Sequence, residues 1–165
     1  MKTICLYFEI HQNIQLKRYR FFDIGTDHYY YDDYEDERII EDVTERSYMP
    51  ALNAIGEMIK ENGKYFKVAF SLSGVGMEQL EIHAPQVIEK LQELNQTGCV
   101  EFLAEPYSHG LASLANEESF TKEVKRQCQK MKEYFGQEPK VLRNSSLIYS
   151  DEIGLQASQM GFKGM

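Results

Sequence analysis

The stretch Glu105-Pro106-Tyr107-Ser108-His109 crowds a carboxylate, an aromatic ring, a hydroxyl and an imidazole together, immediately after the apolar run Val100 to Ala104. Groups of these types at a strand end are the usual material of acid-base and nucleophilic chemistry. Glu105 can give or take a proton in a cleft, and the same carboxylate can equally orient His109 or cap a backbone amide. Ser108 by itself is a weak nucleophile at neutral pH, and activation by a base such as His109 would lead to acyl transfer. Further polar clusters repeat the arrangement. Glu9 to Asn13, with His11 and Gln12, follows the first β-rich run; Ser73 to Gln79 follows the second; Arg143 to Tyr149 follows the fourth. His11, His83 and His109 fall near strand ends, but no Asp-Asp or His-x-x-x-His spacing accompanies them, so no metal set is expected. His83 is read as a surface residue or one behind the site.

The elements that must carry these groups alternate. Thr3 to Phe8, Lys67 to Leu72, Val100 to Ala104, Lys140 to Leu142 and the segment from Phe162 onward read as strands. Between the first two lies a helix that Ser47 or Thr44 could cap and Gly63 could stop, with Leu52, Ile55 and Ile59 on one face. Pro85 opens a helix striped by Val87, Ile88, Leu91 and Leu94, and Gly98 ends it. Asn116 caps the next, whose Phe120, Val124, Cys128, Met131 and Phe135 recur at helical spacing before Gly136 and Pro139. Ser150 to Met160 forms a short last helix stopped by Gly161. This βαβα order predicts an α/β fold with a parallel sheet, because parallel neighbours need a crossover and the helix supplies it. Sites in such folds lie at the C-terminal strand ends, which is where all four polar clusters fall. Four βα units and a strand form either part of a (β/α) barrel or an open five-stranded parallel sheet of the flavodoxin type.

Composition narrows the functional classes. A chain of 165 residues fits one domain with a real core, and 42% apolar with 27% charged residues describes an ordinary globular protein. A net charge of -8 argues against nucleic acid as partner, since phosphates require a basic face. No segment approaches transmembrane length, and the apolar N-terminal run is too short for a signal peptide, which predicts no membrane partner and a cytoplasmic location. Cys5, Cys99 and Cys128 are expected to be buried reduced thiols. The acidic run Asp27 to Glu37, rich in tyrosine, could hold calcium but lacks an EF-hand pattern, so a solvated loop with its tyrosines packed on the fold is expected.

Four segments, in order, resemble the glycoside hydrolases of family 57. His11-Gln12-Asn13 is similar to the family's His-Gln-Pro signature, with Asn13 in the proline place. Phe70 to Val75 with Glu78-Gln79-Leu80 resembles the second signature, Val100 to Leu114 the third, and Arg143 to Asp151 a further segment that often carries an acid where Ser146 stands. The resemblance implies an incomplete seven-stranded (β/α) barrel of which residues 1–165 are the N-terminal part of the catalytic domain. It further implies an α-amylase-like protein or 4-α-glucanotransferase, no cofactor, and α-glucan or maltooligosaccharide as partner, met by His11, Gln12, Tyr107 and His109. The family's nucleophilic glutamate falls at Ser108. A retaining glycosidase needs two carboxyl groups about 5 to 5.5 Å apart, and serine would form an ether that has no good leaving group. Three functions follow: a cleft that binds or acts on glucan with ordinary retaining hydrolysis lost, an active enzyme in which Glu105 takes over, or a non-catalytic interaction module. The general acid is implied to lie downstream of this chain. An edge left bare after Phe162 would favour a homodimer of the chain.

Overall fold

The computed structural model describes residues 4–26 and 28–165. Three parallel strands, β1 (Tyr7–Ile10), β2 (Val68–Leu72) and β3 (Val100–Leu103), stand in the order β1-β2-β3. Register places Phe8 beside Phe70 and Phe70 beside Phe102, so the even-numbered residues share one face and Tyr7, Glu9, Ala69, Ser71, Glu101 and Leu103 share the other. The helices cover the even face alone. Ile10, Val68, Phe70, Leu72, Val100 and Phe102 meet Ile40, Leu52, Ile55, Leu80, Val87, Leu91, Met131 and Phe135 in one core. Phe102 has no exposed surface and stacks on Phe135 at 4.1 Å between ring centres. Burying a side chain of this size contributes roughly 1.5–3 kcal/mol.

The expected fourth and fifth strands shrink to single bridges. Ala104 pairs with Leu142 and Val141 with Gly164, both parallel, so the order continues outward from β3 without forming full ladders. Ala104 and Leu142 face Phe120, Val124, Ile153 and Ala157 in a second, smaller core. A flavodoxin-type sheet would run 2-1-3-4-5 with helices on both faces. The consecutive order and one-sided cover instead fit a barrel wall, whose helices form an outer ring. The first strand begins and ends later than its sequence suggests, at Tyr7–Ile10, and Thr3 lies outside the described residues.

α1 (Asp33–Val43) runs through a π-helical turn at Thr44–Tyr48 into α2 (Met49–Asn62). Neither Thr44 nor Ser47 caps it. Asp32 does, accepting the Glu35 N–H, while Asp33, Glu35 and Asp36 complement the positive end of the helix. Much of the acidic run is therefore helix rather than loop, and Asp36 is buried, accepting the Gln15 N–H at 2.8 Å. Its tyrosines do not pack on the fold either: Tyr29, Tyr30, Tyr31 and Tyr34 are exposed. Asp27 lies outside the described residues. α3 (Gly74–His83) follows β2 directly, capped by Ser73, and breaks at Ala84 so that Pro85 can open α4 (Pro85–Gln96). α5 (Ala112–Ala115) leads to α6 (Glu117–Phe135), capped by Asn116 and closed by Gly136 at φ 67°, and Ser150 caps α7 (Asp151–Gln159). All three cysteines are free; Cys99 is buried, Cys128 half-buried, and Cys5, against expectation, exposed at the start of the chain's first described segment. Among the described residues no helix is long and apolar enough to cross a membrane.

Candidate active site

The helix-free face of the sheet ends in charge. At the C-terminal end of β1, the Glu9 carboxylate receives both terminal nitrogens of Arg143, Nη1 on Oε1 and Nη2 on Oε2, the latter at 2.7 Å. Arg143 follows the Leu142 bridge, so strand alternation sends it to the same face as Glu9. Its Nη1 also lies 3.5 Å from Oε2 of Glu105, the residue that continues β3 beyond Ala104. Glu105 has no exposed surface, and its Oε1 has no hydrogen-bond partner.

The loop over these groups is shaped by Tyr107 and His109. Tyr107 is buried; its O–H donates to Glu78, the Arg126 guanidinium lies 3.7 Å from its ring centre, and its ring fills the space left by the missing side chain of Gly74. The Val75 N–H donates to the Tyr107 carbonyl at 3.1 Å. Burial and the Glu78 carboxylate raise the Tyr107 phenol well above its ordinary pKa. His109 then adopts a left-handed backbone, φ 52°, unusual for a residue with a side chain. That turn lays its ring on His11 at 4.2 Å and brings its Nδ1 to 3.4 Å from Glu9 Oε1 and 3.7 Å from Glu105 Oε2.

His11 is fixed from both sides. Its Nδ1 lies 2.6 Å from the Ser73 hydroxyl and its Nε2 2.9 Å from Asn13 Oδ1. The Ser73 oxygen already accepts the Gly76 N–H at 2.9 Å, so the arrangement is satisfied when Ser73 donates to Nδ1 and the Nε2 proton goes to Asn13. Burial is the main cause that lowers the His11 pKa; the Asn13 bond opposes it, and the neighbouring His109 adds to the lowering. A neutral ring stacked on a second ring results.

Of the residues singled out in the sequence, His11, His109 and Glu105 come together. Ser108 is exposed on the rim, its N–H donating to Glu123 Oε2 at 2.6 Å. Gln12 turns toward the helices and donates to the Tyr48 hydroxyl at 3.3 Å. Tyr107 offers no face to a ligand, because its ring packs inward against α3. His83 stands apart, in a surface depression with Glu41, Thr44 and Met49. Three residues not singled out individually complete the site. Glu9 and Arg143 open two of the polar clusters expected at the strand ends, and strand alternation turns both to one face. Gln127, buried on α6, donates to the Leu72 and Leu103 carbonyls and accepts the Glu105 N–H, tying together the ends of β2 and β3. Beside this cluster a cavity of ≈ 340 Å³ is lined by Tyr7, Leu103, Val141, Arg143, Ile148 and Tyr149.

A one-sided parallel α/β wall with a charged, histidine-bearing rim at its C-terminal strand ends is the wall of a (β/α) barrel, a fold that hosts many chemistries, and comparison with known proteins narrows the class. The chain belongs to glycosyl hydrolase family 57, whose model matches residues 5–165. It is 35% identical over 137 residues to a putative α-amylase of Methanocaldococcus jannaschii, covering 82% of this chain and 29% of that protein. The 4-α-glucanotransferase of Thermococcus litoralis superposes with a TM-score of 0.70 at 16% identity, over 96% of this chain and 21% of that one. An α-amylase of Thermotoga maritima does so at 0.66 and 12% identity, over 98% and 39%. At these identities the structural likenesses establish the fold alone.

Proposed function

We propose that this chain is the N-terminal part of an α-amylase-like (β/α) barrel that holds α-glucan at the rim carrying His11 and His109, and that ordinary retaining hydrolysis is lost at Ser108. Family membership supports the substrate class, and the relatives named above are an α-glucan-transferring enzyme and α-amylases. One observation carries the choice among the three functions: the only acidic residue in Glu105 to His109 is Glu105, and its carboxylate shows no surface, held beside Arg143 and His109. A nucleophile must reach an anomeric carbon, and a negative charge facing an oxocarbenium-like transition state is often the largest single contribution to the rate. Ser108, exposed where the family's carboxylate would stand, supplies neither, and Glu105 is buried beneath Arg143 and His109 with no surface to meet a sugar. The rim remains suited to hydroxyl groups, with His109, Asn13 and Ser108 at its surface.

NMR titration of the isotopically labelled chain with maltooligosaccharides tests the binding half. Resonances of His11, His109 and Ser108 are expected to shift at millimolar ligand, those of the exposed Tyr65 not. The absence of any shift at the rim removes the glucan reading.

A further inference from the structure

Among the described residues, three buried polar atoms without a hydrogen-bond partner belong to one cluster: Glu105 Oε1, His109 Nδ1 and Arg143 Nε. Buried polar atoms are nearly always paired, so such atoms gathered at one point mark a place for a water, an ion or another ligand. Glu105 makes the case strongest. Its side chain has no exposed surface, its Oε1 has no partner, and its Oε2 has only Arg143 Nη1 at 3.5 Å and His109 Nδ1 at 3.7 Å, both long for a hydrogen bond.

Of these groups Glu105 and His109 can offer lone pairs, whereas Arg143 Nε is an N–H donor, and Glu9 converges with the first two. One ligand atom from each of Glu9, Glu105 and His109 lies within 4.8 Å of the others. The imidazole nitrogen stands 3.4 and 3.7 Å from the two oxygens. These spacings are long for hydrogen bonds but close to what shared coordination requires: ligands about 2.0–2.2 Å from a metal at tetrahedral or octahedral angles sit roughly 3.0–3.5 Å apart. Charge points the same way. Two carboxylates face one guanidinium, which leaves one negative charge uncompensated where Glu105 has no access to water. A sugar hydroxyl could satisfy one oxygen but would not neutralise that charge.

We propose that Glu9, Glu105 and His109 form a site for a divalent transition cation, of the class that accepts mixed carboxylate and imidazole ligands. Arg143 is its built-in competitor, because its Nη1 engages the same Glu9 Oε1 that a cation would use. Its Nη2 bond to Glu9 Oε2, at 2.7 Å, involves the other oxygen and does not contend. The guanidinium holds the two carboxylates together when no metal is present. The site is independent of the glucan reading, since metal binding is measured without sugar.

The test is isothermal titration of the chelator-stripped chain with Zn2+, repeated with Mn2+, alongside thermal melts. One Zn2+ per chain is expected, weakened at least about tenfold by His109→Ala and by Glu9→Gln and unchanged by His83→Ala. Arg143→Lys, which keeps a positive charge but loses the planar fork, should bind Zn2+ more tightly than wild type. Arg143→Gln should melt lower than wild type and recover more from added Zn2+. Circular dichroism checks that each variant is folded, and Arg143→Lys carries the competition test where Arg143→Gln is not. No saturable binding at millimolar Zn2+ overturns the proposal. So does binding that His109→Ala and Glu9→Gln both leave unchanged, or that the Arg143 variants do not strengthen.

Discussion

Gly74→Ala sets two physical rules against each other. Gly74 opens α3 with no left-handed backbone to protect, and in a helix alanine is favoured over glycine by up to about 1 kcal/mol. Propensity therefore predicts a gain. Contact predicts a loss, because a Cβ at this position would stand 2.1, 2.2 and 2.4 Å from three atoms of the Tyr107 ring. Ordinary carbon contacts are about 3.5–4.0 Å, so the ring must retreat by more than an ångström from a fully packed place. Overpacking of this kind costs about 1–3 kcal/mol. Displacing the ring also strains the hydrogen bond to the Glu78 carboxylate, a class worth about 1.5–3 kcal/mol. The Arg126 stack adds roughly 0.5–1 kcal/mol more. Contact wins, and a net loss of about 3–5 kcal/mol is expected from urea denaturation followed by circular dichroism. Gly110→Ala, with nothing within 4 Å of its Cβ, is the control and should change stability by less than about 0.5 kcal/mol. The same Gly74→Ala change in a Tyr107→Ala background should cost under about 1 kcal/mol, since the clash has gone. A Gly74→Ala protein within about 0.5 kcal/mol of wild type would refute the reasoning and place Tyr107 elsewhere.

Other outcomes follow from the same geometry. The His11 pKa is lowered by folding, so the unfolded chain binds the proton first; that part of the stability is present above pH 6.5 and is lost as pH falls below it toward the folded value. Urea midpoints measured across this range should show the slope, and His11→Gln should flatten it. Arg143→Gln leaves the buried Glu105 without its cation and should destabilise by about 3–5 kcal/mol in urea denaturation; Glu9→Gln, whose carboxylate is 31% exposed, should cost less. In the full-length protein, wild type is expected to give no glycosyl-enzyme burst with an activated α-glucoside, and Ser108→Glu to give one. Wild-type turnover that survives Ser108→Ala and collapses on Glu105→Gln would transfer the chemistry to Glu105.

Much of the fold was legible because local rules and tertiary packing agree. Val68, Phe70 and Leu72 alternate with Ala69 and Ser71, and the buried face is the one that alternation selects. Asn116, Gly63, Gly98 and Gly136 stand where a cap and stops were expected, and Ser150, read as the first residue of the last helix, caps it instead. α1 was missed because its first turns carry acids in place of an apolar stripe, and its cap, the buried Ile40, the partly buried Val43 and the bond from Gln15 to Asp36 hold it. In the site, residue types pointed to His11, Glu105 and His109, but orientation was not legible. An aromatic ring in a loop reads as a ligand platform until Gly74 is seen to make room for it behind the wall. The Glu9 to Arg143 contact joins residues 134 apart, and no local pattern encodes a pair at that separation.

That long-range pair also says something about the wall itself. β1 carries Glu9, and Arg143 follows a bridge to the far side of β3, so two strands lie between them in the sheet. Neighbouring strands are about 4.8 Å apart, and in a flat sheet side chains stand roughly perpendicular to the plane and parallel to one another. Glu9 and Arg143 would then point past each other across roughly 14 Å. A two-pronged contact between them requires the outer strands to lean together over the face where Ser71 and Leu103 lie. The helices, crowded on the opposite face, take the convex side. The contact therefore fixes curvature at the rim, and curvature is what brings the β1 residue Glu9 within 3.4 Å of His109 from the loop after β3. Without it His11 and His109 would belong to separate strand ends; with it they form one surface.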